Sequence, residues 1–221
     1  MIHPEILVYA SIVGGVAVFC RGTSRLQTHY ERLRSLPLVL LLVLFAFNGA
    51  QALYNPIFNW SVVALAFAIA AELLITRHFV AGLLCYPFST LFYALGFQGI
   101  AWALALQHVL VALLGWLAAA AWMSHLLWTH QQRSLLAPLN LYLALDALLV
   151  VAAFSAELTL RRDVPWLLVG SFHFVLGDAL LLFDEFIGHV PLASLAVPLL
   201  YYVAQITSAM GVLTLPNQGD D

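Results

Sequence analysis

Long apolar runs separated by short polar breaks recur along the chain from end to end. Eight of them are long enough to cross a bilayer as helices: approximately 4–20, 36–53, 58–75, 79–97, 100–123, 136–158, 165–183 and 192–213. A helix needs roughly 17–25 mostly apolar residues to span the hydrocarbon, and it satisfies its own backbone polar groups while it crosses. The pattern predicts an all-α polytopic transmembrane bundle, a single integral membrane domain over 1–221. Tight breaks such as Ile75-Thr76-Arg77-His78 predict antiparallel neighbours. Pro37, Pro138 and Pro165 fall near predicted helix starts, where a missing N–H costs least. Pro87 and Pro198 fall inside spans and are expected to kink them. The run Ile6–Cys20 follows acidic Glu5, not a basic segment, and lacks a small-residue cleavage site, so it is expected to be a first membrane helix, not a cleaved leader.

Two spans share a local pattern. The third ends AAELLITRHF and the seventh LGDALLLFDEF, each with a small residue before an acid, then aliphatics, then Phe. Pro37 precedes Glu72 by 35 residues and Pro138 precedes Asp178 by 40. A four-plus-four internal repeat fits this spacing and would place two acids at matching depth.

Composition sharpens the picture. The chain is 63% hydrophobic and 9% charged, and its net charge of −3 comes with no lysine. Nothing resembles a basic nucleic-acid-binding stripe, so no nucleic-acid partner is expected. Cys20 and Cys85 lack metal-like spacing and are expected to pack as small apolar groups. Arginine placement suggests an orientation. Arg21, Arg25, Arg32 and Arg34 lie in the first loop, Arg77 in the third and Arg133 in the fifth, whereas only Arg161 and Arg162 lie in an even-numbered loop. Positive charge marks the cytoplasmic side, so both termini are expected on the non-cytoplasmic side. The tryptophans are expected to anchor helices at the interfaces.

Ionisable residues inside membrane spans are costly, which makes them the first candidates for chemistry. Glu72 and Asp178 are the sharpest pair, and Asp146, within YLALDALLV, is a third. Low dielectric favours the neutral form of a carboxyl group, and a second carboxylate nearby favours it further. A protonated acid beside an ionised one is apparatus for general acid–base catalysis. The competing use of such acids is hydrogen bonding between helices or capping of loops. His173 is a possible helper, although five residues from Asp178 do not share a helix face well. Tyr201, Tyr202 and Gln205 fall near the middle of the last span, with Tyr201 and Gln205 on one face. Tyr86, Ser89 and Tyr93 in the fourth span could line the same place. All of these could equally be polar contacts between helices. No HExxH or HxxxH occurs, so no metal is expected. GxGxxG, the P-loop and the nucleophile elbow are absent as well, and no cofactor is expected.

The run Gly170–Phe174, then Gly177-Asp178, Phe186 and Tyr201-Tyr202-Val203-Ala204-Gln205, resembles the YhhN/lysoplasmalogenase family, whose C-terminal pattern is close to GaxxFxxSD…F…YYxAQ. The eight-span layout and Pro138 with Tyr142, a P-x-x-x-Y, are similar too. The resemblance implies hydrolysis of the vinyl-ether bond of a lysophospholipid to a fatty aldehyde and a glycerophospho-base. It implies that Asp178 and Glu72 are the catalytic acids, with Tyr201, Tyr202, Gln205, His173, Ser89 and Tyr93 around the substrate. Three positions depart from the family pattern. Ala71-Glu72 stands for Gly-Asp, Ser89 stands for a His, and Gly177-Asp178 stands for Ser-Asp. A protein that binds or moves a lipid or other amphiphile without cleaving it is the alternative. In both readings membrane lipid surrounds the chain.

Overall fold

The computed structural model describes residues 38–43, 45, 56–75, 77–98, 106–129, 136–161 and 164–214. The predicted span 4–20 and most of 36–53 lie outside these residues, as do Cys20 and the first-loop arginines. Residues 38–43 are helical. Six longer helices follow among the described residues: α1 (Pro56–Ile75), α2 (Phe79–Gln98), α3 (Leu106–Thr129), α4 (Leu136–Leu160), α5 (Trp166–Phe186) and α6 (Ala193–Leu213). No strand occurs among the described residues. Stretches within α1, α4, α5 and α6 are long and apolar enough to cross a membrane. The helix predicted over 100–123 runs on to Thr129, because the segment AWMSHLLWT continues the apolar helical pattern past the expected stop.

The helices pair as the short breaks predict. At the α1–α2 turn, His78 N donates to Leu74 O at 2.7 Å, and Arg77 N donates to the same carbonyl at 2.9 Å. α2 then folds back so closely that a Cβ on Gly82 would lie 2.5 Å from the Ile75 backbone. A side chain there would drive the hairpin apart.

α5 and α6 form a second hairpin with an equally close crossing. A Cβ on Gly170 would meet Ser208 Oγ at 2.3 Å and the Ser208 backbone N at 3.0 Å. A Cβ on Gly211 would meet Leu167 Cδ2 at 2.3 Å. Small residues at such crossings let backbones approach where lipid gives no hydrophobic drive to association. Between the helices, Leu192 adopts a left-handed backbone with φ 67°, a conformation that costs an L-residue about 1–2 kcal/mol.

α4 lies between the hairpins. It packs on α2 and α5 and carries α3 on another side, while α1 touches α6. Five helices, α1, α2, α4, α5 and α6, therefore close into a ring, each against the next. Every helix of the ring buries a stripe at i, i+3 and i+4 spacing. On α1 the stripe includes Ser61, Leu65, Ala68 and Glu72; on α4 it includes Tyr142, Asp146, Leu149 and Ala153; on α5 it includes Leu167, Phe174 and Asp178. The polar candidates sit on the faces that the helices turn toward one another.

α3 is different. Leu110, Leu113, Leu114, Leu117 and Trp122 on it are exposed. Polar groups hold it to α4: Asn140 Nδ2 donates to Ser124 Oγ at 3.2 Å, and Trp116 Nε1 makes a long 3.4 Å contact with Asn140 O.

Glu157, buried near the end of α4, reaches the start of α5 and accepts Leu167 N at 2.7 Å on Oε1. A carboxylate suits the N–H groups and positive dipole end of a helix N-terminus. This acid fixes the position from which α5 sets out, and hence where Asp178 arrives.

Candidate functional site

Asp178 lies just past the middle of α5 and is 1% exposed. The Tyr142 hydroxyl on α4 donates to Asp178 Oδ1 at 2.6 Å. The same hydroxyl lies 3.4 Å from the Tyr201 hydroxyl of α6. Tyr142 has one hydroxyl proton and gives it to the carboxyl, so Tyr201 is the donor in that second, longer contact. The result is a directed chain, Tyr201 to Tyr142 to Asp178, spanning three helices.

The Tyr201 ring carries the cluster onward. It stacks on the Tyr86 ring with centroids 4.9 Å apart and planes 15° from parallel. The Tyr86 hydroxyl, on α2, donates to Glu72 Oε1 on α1 at 2.5 Å. Glu72 is 2% exposed. The two acids singled out in the sequence thus belong to one buried cluster, joined through Tyr86, Tyr201 and Tyr142.

Asp146 completes the cluster. It follows Tyr142 by one helical turn on α4, is buried, and brings its carboxyl group within side-chain hydrogen-bonding reach of Asp178. The carboxyl group placed against Asp178 is therefore Asp146, while Glu72 is held by Tyr86. Asp146 was legible as an intramembrane acid, and its i, i+4 relation to Tyr142 was the signal tying it to Asp178.

The remaining candidates take neighbouring places. Tyr93 donates to Gln205 Oε1 at 2.6 Å, linking α2 to α6, and both residues are buried. Phe174 packs between this pair and the acid cluster, 5.8 Å from the Tyr93 ring and 6.2 Å from the Tyr201 ring. Ser89 is buried on the Tyr86 and Tyr93 side of α2, and no partner among the described residues reaches its Oγ. Tyr202 is buried beside Tyr201. His173 has Nδ1 2.7 Å from Val169 O, one turn back on its own helix. Its five-residue separation from Asp178 turns it about 140° around α5. Gly170, in the same motif, serves the α5–α6 crossing. Glu157 was not read from the sequence as a helix-capping residue, because its partner is a backbone N–H on the next helix.

Helix ring and acid–tyrosine cluster together define the class: a membrane protein, all-helical among the described residues, with the acids Glu72, Asp146 and Asp178 gathered inside the bundle. The chain belongs to the YhhN family, whose model matches residues 32–212 and so covers α1 through all but the last residue of α6. Neither curated proteins nor solved structures give a match.

Proposed function

We propose that the protein hydrolyses the vinyl-ether bond of a lysoplasmalogen, releasing a fatty aldehyde and a glycerophospho-base. The observation that carries this reading is the buried Asp178 carboxyl, oriented through Oδ1 by Tyr142, with Oδ2 reached by no donor among the described residues.

Energetics favour a use beyond holding helices together. An Asp at a membrane helix centre costs about 2.5–3.5 kcal/mol on insertion scales. A hydrogen bond between membrane helices returns about 0.6 kcal/mol on average and about 1.7 kcal/mol at most in the best-measured case. Asp146 and Asp178 together cost about 5–7 kcal/mol on that scale, and the Tyr142 bond does not offset it. Residues this expensive are expected to be functional.

The chemistry suits the arrangement. Cleavage of a vinyl ether begins when an acid gives a proton to the β-carbon. The π electrons form the new C–H bond and leave an oxocarbenium ion, which water then attacks to give a hemiacetal that collapses to the aldehyde. Glycosidases pass through a related cation between two carboxyl groups. Here Asp178 is the acid. Tyr142 fixes the carboxyl's orientation, and Glu72, across the Tyr86–Tyr201 stack, adds negative charge that stabilises the cation. Tyr201, Tyr202, Gln205, Tyr93 and Ser89 line the ether and glycerol side, and His173 lies at its margin.

The proposal extends to the membrane arrangement. Eight spans, related by a four-plus-four repeat, place both termini on the non-cytoplasmic side and the acids in the cytoplasmic half. A lysolipid then enters from the inner leaflet with its tail between helices. Single cysteines placed in successive loops and labelled from either side test this topology.

The activity is tested on purified protein in detergent. A lysoplasmalogen and an ester-linked lysophospholipid of the same chain length are supplied separately, and fatty aldehyde and free fatty acid are measured. Aldehyde from the first and no acid from the second is the expected result. No product from either, with the protein folded, leaves lipid binding without cleavage as the function.

A further inference from the structure

The hydrolytic scheme above uses Asp178 as an acid and leaves open where its proton returns from. Asp146 is 3% exposed and lies one helical turn from Tyr142, whose hydroxyl is bonded to Asp178 at 2.6 Å, so both carboxyl groups belong to the same α4–α5 contact. Among the described residues, no donor reaches Asp146 Oδ1, Asp146 Oδ2 or Asp178 Oδ2. Two neighbouring buried carboxyl groups whose oxygens meet no donor among the described residues are matched to each other when one of them carries a proton and donates it to the other. Tyr142 donates to Oδ1 of Asp178, so the oxygen left to share the proton is Oδ2.

We propose that Asp146 is the second catalytic carboxyl of this site. It is the base that takes a proton from the attacking water and later hands it to the leaving glycerol oxygen. This rests on the vinyl-ether hydrolase reading.

The cycle closes with one proton on the pair. The pair shares one proton between Asp178 Oδ2 and Asp146, and it reacts from the form in which Asp178 holds that proton and Asp146 is ionised. Asp178 gives its proton to the β-carbon, and the π pair becomes the C–H bond. Both carboxylates are then ionised beside the oxocarbenium ion, where their charge stabilises it most. Water adds to the carbon bearing the ether oxygen and loses one proton to Asp146, giving a neutral hemiacetal. The hemiacetal hydroxyl returns a proton to Asp178 as the carbon–oxygen bond to glycerol breaks. The departing oxygen keeps the bonding pair and takes the proton from Asp146. One water is consumed, aldehyde and glycerol hydroxyl are formed, and the pair regains its starting state.

In this scheme Glu72 touches no reacting atom in the water step. Its hydrogen bond from Tyr86 holds the stack on which Tyr201 rests.

The test compares wild type, Asp146→Asn, Asp178→Asn and the double variant, measuring aldehyde from a lysoplasmalogen and folding by thermal unfolding in detergent. Wild type without aldehyde overturns both this inference and the hydrolase reading. With wild-type aldehyde in hand, Asp146→Asn is expected to lower kcat by about 10²–10⁴-fold, the range for general acid–base groups. The double variant is expected to fall no more than severalfold below the weaker single, because residues acting as one unit are not additive. A folded Asp146→Asn with kcat within severalfold of wild type overturns the inference, while aldehyde formation by wild type keeps the hydrolase reading intact. Losses that multiply in the double variant also overturn it. If Asp146→Asn does not fold, wild type is treated with a hydrophobic carbodiimide, which adds to protonated carboxyl groups, and the label is located by mass spectrometry. A single label per chain, shared between Asp146 and Asp178, supports the proton-sharing pair. Labelling of neither residue, or of both at once, contradicts it.

Discussion

Tyr142 on α4 donates its hydroxyl to Asp178 Oδ1 on α5 at 2.6 Å, and among the described residues this leaves Oδ2 as the oxygen with no donor, the one the proposed hydrolysis uses. Tyr142→Phe keeps the ring and removes the donor. Asp178 becomes charged as it gives up its proton, and a hydrogen bond to a charged group contributes about 1.5–3 kcal/mol. The variant is expected to lose about 10–100-fold in kcat, with a smaller change in KM. Steady-state aldehyde release measures both. An unchanged kcat would detach Tyr142 from catalysis.

Tyr86 does two things, stacking on Tyr201 at 4.9 Å and donating to Glu72 at 2.5 Å. Two variants separate them. Tyr86→Phe preserves the stack, and Tyr86→Leu loses both contacts. Leu is expected to be the less stable by about 0.5–1.5 kcal/mol, the contribution of an aromatic pair beyond its area. If catalysis depends on the placement of Tyr201, kcat follows the same order. Thermal unfolding beside activity distinguishes the two losses.

The two glycines in the α5 motif should respond differently to alanine. At Gly170 a Cβ collides with Ser208, including its backbone N at 3.0 Å, so the crossing must widen. Gly170→Ala is expected to cost about 1–3 kcal/mol. At Gly177 the nearest atom to a new Cβ is Leu200 Cβ at 3.4 Å, an ordinary contact. Gly177→Ala is expected to fold with wild-type stability, and a serine's Cβ would meet the same atoms. Detergent unfolding curves of the two variants check the contrast.

Ser89 presents a buried hydroxyl with no partner among the described residues. Its removal relieves a desolvation penalty of about 1–3 kcal/mol. Ser89→Ala is therefore expected to melt higher than wild type. If Ser89 also meets the substrate, the more stable variant binds lysoplasmalogen less tightly and its KM rises. A higher melting point with unchanged KM would leave Ser89 outside the substrate site.

Much of this was legible in the sequence because membrane physics restricts it. Long apolar runs must be helices, and α1, α2, α4, α5 and α6 lie within a few residues of the expected spans. The break at Arg77-His78 had to be a tight turn, and Asp178 stood out because a carboxyl group in lipid is costly. Pairings between helices were not legible. Tyr93 and Gln205 meet across 112 residues, and Tyr86 reaches Glu72 across a hairpin turn. No periodicity within one helix encodes either contact. Tyr142 and Asp146 lie between these cases: their four-residue spacing places them on one face, but only packing of α4 on α5 brings that face to Asp178. The Glu157 bond to Leu167 N was hidden because a helix terminus can accept any nearby acid.

The most direct test of the central claim follows the proton itself. Wild-type protein is given lysoplasmalogen in deuterium oxide, the aldehyde is reduced at once to the alcohol to prevent exchange, and deuterium at carbon 2 is measured by mass spectrometry. Carbon protonation by an exchangeable acid predicts one deuterium at that carbon in each product molecule. Aldehyde released without deuterium there would contradict protonation of the vinyl-ether carbon and remove Asp178 from the role given to it.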